Sequence, residues 1–267
     1  MMAFDLKAMA RRAKNIRRRQ IVIRDIIPPA VLASNLYARA YRPVVQAWSD
    51  GADRIIAEYT RTLSDMTTDA PVDVSGEINS VSDAIDRLIL LLTPEIRDWA
   101  LQVETWFRGK WRGAVLSATG VDLAVLIGAG DARATLETYI QWNASLVKDV
   151  SAEAEKRIST AVYDGLRNRT PAREVAKTIR EAVDMSRRRS INIASDQLSK
   201  ISSSLASERR REAGLDHWKW RSSHKKHFRP EHQARDGKVY TDEDAPKDLP
   251  GQLPFCGCRE QAVMVFD

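Results

Sequence analysis

The two cysteines of this chain, Cys256 and Cys258, stand one residue apart in "LPFCGCREQ", and all four histidines (His217, His224, His227 and His232) lie shortly before them. Thiolates and imidazoles are the ligands of tetrahedral Zn²⁺. Gly257 between the cysteines permits a tight turn that presents both sulfurs to one ion. His232 with His227 or His224 would complete a Cys₂His₂ set, and Asp236 is an alternative fourth ligand. A disulfide is the poorer pairing, because residues i and i+2 of an extended segment sit near the upper limit for bridging. The bland alternative is two small residues in a turn beside a basic loop. The sequence therefore nominates His232, Cys256, Cys258 and His227 as metal ligands, with zinc as the ion.

The elements that must position these residues follow Gly214. "HWKWRSS" alternates aromatic and polar residues as a strand does, "KVY" is β-prone, and "QAVMVF" is a third strand candidate. The loop from Tyr240 to Phe255 carries Pro246, Pro250 and Pro254 and no apolar periodicity. Burial alone does not explain how its ends are held. A cross-link between its far end and a histidine just before it would offset the loop-closure entropy. Residues 215–267 thus read as a small, loop-rich α+β module of the kind that a metal ion often completes.

Everything before Gly214 reads as helix. "FDLKAMARRAKNIRRRQIVIRDII" has no Gly or Pro and ends at Pro28–Pro29, and a second helical stretch, bent at Pro43, runs to about Ser64. The polar residues 65–77 have the composition of a connecting loop. Thr93–Pro94 and Thr170–Pro171 each resemble an N-cap followed by a proline that opens a helix. Trp99, Trp106, Phe107 and Trp111 fall at helical spacings and are read as core. The helix after Pro171 is expected to end near Val183–Met185, with Ser186 capping a new one. In that helix Ile191, Ala194, Leu198, Ile201 and Leu205 form a seam at intervals of 3 and 4, and Gly214 is the natural stop. The fold class is mainly α, a long-helix body followed by a small C-terminal α+β module. The regions are 1–139 (N-terminal helical, with a basic arm at 1–27), 140–214 (a helical hairpin) and 215–267.

Charge is unevenly placed. The formal net charge is +6, and residues 1–27 carry eight Lys/Arg against Asp5 and Asp25, which accounts for all of it. Residues 208–238 hold ten Lys/Arg against five Asp/Glu. Basic regions at both ends point to a polyanion, and Arg11, Arg12, Arg17, Arg18 and Arg19 are the candidate contacts to non-specific double-stranded DNA. A solvated helix face is the competing reading. No apolar run approaches the roughly 18–20 residues of a membrane span. A secretory signal is not expected, and two cysteines cannot build a disulfide framework, so the expected compartment is a reducing cytoplasm. The "GAG" at 128–130 lacks the third glycine and flanking strand of a dinucleotide fingerprint.

Several separate motifs carry a family resemblance. "WKWRSS", then Arg229, Pro230 and His232, then "DGKVY" at 236–240, a Pro-rich loop, and Cys256, Cys258 and Arg259 resemble the C-terminal signature of the Mu F-like phage head morphogenesis (minor head) proteins. Upstream, residues 158–205 resemble the paired helices that precede that module, with "ASDQLSK" where the family often has an R-T-E-T-like stretch. The resemblance covers about residues 140–265. It implies a non-enzymatic virion component that works with the portal and with capsid or scaffold proteins in the host cytoplasm, and that resides in the phage head. The alternative is a metal-dependent nuclease or toxin-like enzyme, for which His217, His224, His227 and Glu231 could be nominated. No base, metal and transition-state stabiliser stand at a recognisable spacing, and toxin domains fused to such proteins extend beyond the C-x-C. A DNA-binding regulator is disfavoured, since no compact helix-turn-helix is present.

Overall fold

A computed structural model describes residues 4–13, 18–64, 71–128, 132–224 and 228–266, with the side chains of 71–73 excepted. In chain order the elements are α1 (Leu6–Ala13), β1 (Gln20–Val22), α2 (Ala30–Leu36), a π-turn (Tyr37–Tyr41), α3 (Arg42–Ser64), α4 (Pro71–Thr119), α5 (Arg133–Arg167), α6 (Ala172–Glu212), β2 (His217–Arg221), α7 (Pro230–Ala234), β3 (Val239–Tyr240) and β4 (Arg259–Val265). The protein is mainly helical, with one small antiparallel sheet of order β1-β4-β2-β3. Among the described residues no helix is long and apolar enough to cross a membrane. The chain divides into two compact units: Met1–Leu32, Trp99–Tyr139 and Ser195–Asp267 form the first, and Ala33–Asp98 with Ile140–Ala194 form the second. The chain passes from the first unit to the second at 139/140, whereas 214/215 lies within the first unit.

The second unit is a helical bundle in which three buried aromatic side chains pair their polar atoms. Tyr41 Oη donates to Asn143 Oδ1 at 3.1 Å, Trp48 Nε1 to Ser151 Oγ at 3.0 Å, and Tyr59 Oη to the Thr170 carbonyl at 2.7 Å. At Gly51 a Cβ would lie 2.6 Å from Val81 Cγ1, so only glycine allows α3 and α4 this close. The expected bend at Pro43 takes the form of the π-turn. Proline has no N–H to give, and the Arg42 N–H reaches back five residues to the Tyr37 carbonyl.

Two expected helix boundaries are absent. α4 continues through Thr93–Pro94, and Pro94 lies inside the helix. Pro94 and the preceding turn's Leu90 are exposed, so water can satisfy the carbonyl that proline leaves without a donor. α6 runs unbroken through Ser186, whose hydroxyl donates back to the Ala182 carbonyl at 3.1 Å instead of capping a new helix. α4 also begins at Pro71, inside the expected loop 65–77, of which residues 65–70 lie outside the described residues. The signal at Thr170–Pro171 does mark a helix start. Of the seam, Ala194, Leu198, Ile201 and Leu205 are buried, whereas Ile191 is exposed.

The first unit carries the sheet. α6 ends where expected: Gly214 takes φ +65°, and the N–H of Leu215 bonds the Arg210 carbonyl at 3.1 Å in a Schellman-type closure. The expected continuous helix from Phe4 to Pro28 is corrected. α1 spans Leu6–Ala13, residues 14–17 lie outside the described residues, and Gln20–Val22 pairs antiparallel with Val263–Val265. "QIVI" alternates between solvent and core, with Ile23 buried, and its β-branched residues suit a pleated surface. The three strand candidates after Gly214 form β2, β3 and β4.

Candidate metal centre

Alternation along β2 buries Trp218 and Trp220 on one face, where they pack with Cys256, Cys258, Tyr240 and Leu253. α7 opens with Pro230 at its first turn, where the missing N–H costs nothing, and this short helix carries His232 into the same cluster. The His232 ring stands edge-on to Trp220, with centroids 5.1 Å apart. His232 Nε2 lies 2.8 Å from Asp248 Oδ2, and Asp248 Oδ1 accepts from Arg235 Nη1 at 2.8 Å. The Arg235 guanidinium in turn sits 5.1 Å over the Trp220 ring. Burial raises the Asp248 carboxyl, but its hydrogen bonds to His232 and Arg235 outweigh that and hold it below the usual range. An ionised Asp248 assigns the proton to Nε2 and leaves the Nδ1 lone pair free.

That lone pair faces both sulfurs. Cys256 Sγ is 3.4 Å and Cys258 Sγ 3.6 Å from His232 Nδ1, and the three atoms all lie within 4.8 Å of one another. Sulfur and nitrogen ligands on one tetrahedral zinc ion are separated by roughly 3.5 Å, given Zn–S near 2.3 Å and Zn–N near 2.0–2.1 Å. All three side chains are buried, and both cysteines are free thiols. The Cys258 thiol, together with the N–H groups of Cys258 and Gly251, pulls Cys256 down to about 5 against its burial. Cys258 is pushed upward by Cys256 and by burial, while the Ser223 N–H and the Trp220 indole N–H oppose this. The Trp220 N–H has no full hydrogen bond and faces the Cys258 sulfur. The pocket therefore surrounds two sulfurs with N–H donors and an oriented imidazole, a donor set that fits a thiophilic cation. His232, Cys256 and Cys258 form a cluster that could hold a metal ion.

Among the described residues no other nominated ligand joins it. His227 lies outside the described residues. His224 is exposed, with Nε2 3.5 Å from Asp236 Oδ2, and Asp236 Oδ1 accepts the Ser222 N–H at 2.8 Å. These two alternative fourth ligands pair with each other and are not among the residues whose ligand atoms converge. His217 stands on β2, outside the cluster. Reading the sequence missed Asp248 and Arg235, since an acid and a base in a polar stretch carry no spacing that marks them as supports behind a ligand.

The basic residues divide by location. Arg11, Arg12, Arg18 and Arg19 are exposed, Arg11 lies 5.6 Å over the Phe266 ring, and Arg17 lies outside the described residues. In the 208–238 segment, Arg209 and Arg210 are almost fully buried. Arg209 donates to Glu104 Oε1 at 2.9 Å and Glu212 Oε2 at 2.8 Å. Arg210 meets Glu260 of β4, Asp242 and the Leu215 carbonyl. These two arginines are internal ties and are removed from the polyanion surface.

The comparisons with known proteins bear on the part of the chain that holds the long helices before the sheet and the buried His/Cys cluster. Residues 156–261 match the family described as Phage Mu protein F like protein, which supports the Mu F-like resemblance read from the sequence. The match contains His232, Cys256 and Cys258. An uncharacterized protein of Haemophilus influenzae is 26% identical over 149 residues, which is 55% of this chain and 33% of that relative. The chain thus spans about a third of the length of the relative it matches. Comparison with solved structures found no match.

Proposed function

We propose that this chain is a structural minor head protein of a tailed phage, acting with the portal and with capsid or scaffold proteins during procapsid assembly and remaining in the virion. The observation that carries this is the family match over 156–261, which includes the complete His/Cys cluster. Zn²⁺ on His232, Cys256 and Cys258 is the structural ion of this reading. It would tie the far end of the Pro-rich loop to α7 and so stabilise a module with a small core. Burial of all three candidate ligands, at 3%, 3% and 5% exposure, supports a structural role over the nuclease alternative. A hydrolytic metal needs an open coordination position beside its substrate. Arg11, Arg12, Arg17, Arg18 and Arg19 form the proposed contact to packaged double-stranded DNA, electrostatic and sequence-independent.

Mass spectrometry of purified procapsids and virions, quantified against the portal, tests the reading. Presence at a few copies per portal is expected. Absence from both particles overturns it.

A further inference from the structure

Lys200, on α6, is 5% exposed, although it carries a charge and no family motif singled it out. Its ammonium donates to three successive carbonyls, those of Gly251 at 3.3 Å, Gln252 at 2.9 Å and Leu253 at 3.0 Å. An ammonium has three protons, so this uses its donor capacity. Asp196, one turn earlier, lies 3.5 Å from the same nitrogen and also accepts the Phe255 N–H at 2.6 Å. Ser203, one turn later, donates to the Cys258 carbonyl at 3.4 Å. Positions 196, 200 and 203 thus form one stripe of α6 that grips residues 251–258. Burying an ammonium costs several kcal/mol unless it is well paired, so this grip needs a structural reason.

The reason lies on the other side of the same turn. A lysine that collects the carbonyls of 251–253 fixes those peptide planes, and the Gly251 N–H is directed at Cys256 Sγ. Gly251 holds φ +76°, which glycine adopts without strain, and a Cβ there would come within 2.3 Å of Ser203 Oγ. The Cys256 N–H then closes on the Leu253 carbonyl at 3.1 Å, setting where the sulfur points.

We infer that Lys200 is a positioning residue for the metal centre: it organises the 251–253 turn so that Cys256 meets the same ion as Cys258 and His232. This rests on the metal reading above. It adds that affinity for the ion is set partly from α6, by a residue that does not touch it.

Titration of the full chain with Co²⁺, followed by absorption, separates the two claims. The wild-type chain is expected to develop thiolate-to-cobalt charge-transfer and tetrahedral d–d bands. Lys200→Met should bind roughly 10–100-fold more weakly, with altered band positions. Lys200→Gln retains two N–H donors and should fall between, and Ser195→Ala, at an exposed position of α6, should match wild type. Far-UV circular dichroism identifies any variant that fails to fold, and if Lys200→Met does, Lys200→Gln decides. No cobalt–thiolate bands in the wild-type chain overturns the metal centre, and the role of Lys200 with it. Normal bands with unchanged affinity in the folded Lys200 variants overturns the positioning role alone.

Discussion

His232 Nε2 sits 2.8 Å from Asp248 Oδ2, and that one interaction decides which ring nitrogen is left for the sulfurs. Asp248 is itself held by Arg235 at 2.8 Å, so the imidazole is oriented by a chain of two residues behind it. Asp248→Asn should weaken zinc binding roughly 10–100-fold, the usual effect of removing a carboxylate that orients a ligating histidine. Competition with a chromogenic chelator measures it. Equal affinity would leave Asp248 without a role in metal binding.

Removing the metal should destabilise the first unit while the helical bundle of the second keeps its secondary structure. Chelator treatment followed by thermal melting is expected to lower the first transition, with Cys256→Ser giving the same shift. A melt unaffected by either, with no zinc on elemental analysis, reduces the cysteines to small residues in a turn.

Arg210 joins α6 to β4 through Glu260 and to the β3 side through Asp242. Arg210→Met would strand Glu260, whose side chain is 8% exposed and already raised by burial. Breaking a buried pair by removing one partner costs about 3–5 kcal/mol. Urea unfolding should show a loss in that range.

Asp242 supplies a pH signature. Burial raises its carboxyl, but hydrogen bonds and charge from Arg211 and Arg210 outweigh that and hold it below its ordinary 3.8. A depressed folded-state value stabilises the protein above the unfolded value, and this stability is lost as pH falls through the folded one. Asp242→Asn should therefore lower the melting temperature at pH 7 and leave it unchanged once pH is well below 3.8.

The N-terminal arginines call for substitution and not truncation, because β1 lies between them and the rest of the first unit. Replacing Arg11, Arg12, Arg18 and Arg19 by Gln should reduce the slope of log K against log salt for duplex DNA by about 0.9 for each phosphate that is no longer neutralised. An unchanged slope removes them from DNA binding.

The sequence carried more of the site than of the frame around it. Cys256, Cys258 and His232 stood out by scarcity and spacing, and the alternation in "HWKWR" marked β2. Gly214 and Thr170–Pro171 marked helix ends because glycine and proline act locally. β1 was not legible, since three residues become a strand only by pairing with Val263–Val265, far along the chain. Pro94 was misleading because the rule against proline inside a helix relaxes on a solvent-facing turn. The burial of Arg209 and Arg210 was hidden for a similar reason: an arginine run reads the same whether its partners are water or Glu104 and Glu260. Lys200 lies in "ASDQLSK", where only the three-dimensional turn gives it meaning.

The pairing of Gln20 with Val265 also sets a schedule for synthesis. At 5–20 residues per second, Gln20 is made roughly 10–50 s before its partner strand. The sheet's outer strand must wait through that interval without a partner. It is only three residues long, with Arg18 and Arg19 before it and Arg24 soon after. Short length and flanking charge are what keep an unpaired strand from joining a neighbouring chain. On the ribosome, the arginines beside β1 would thus act as guards against premature association, whatever they bind once the chain is complete.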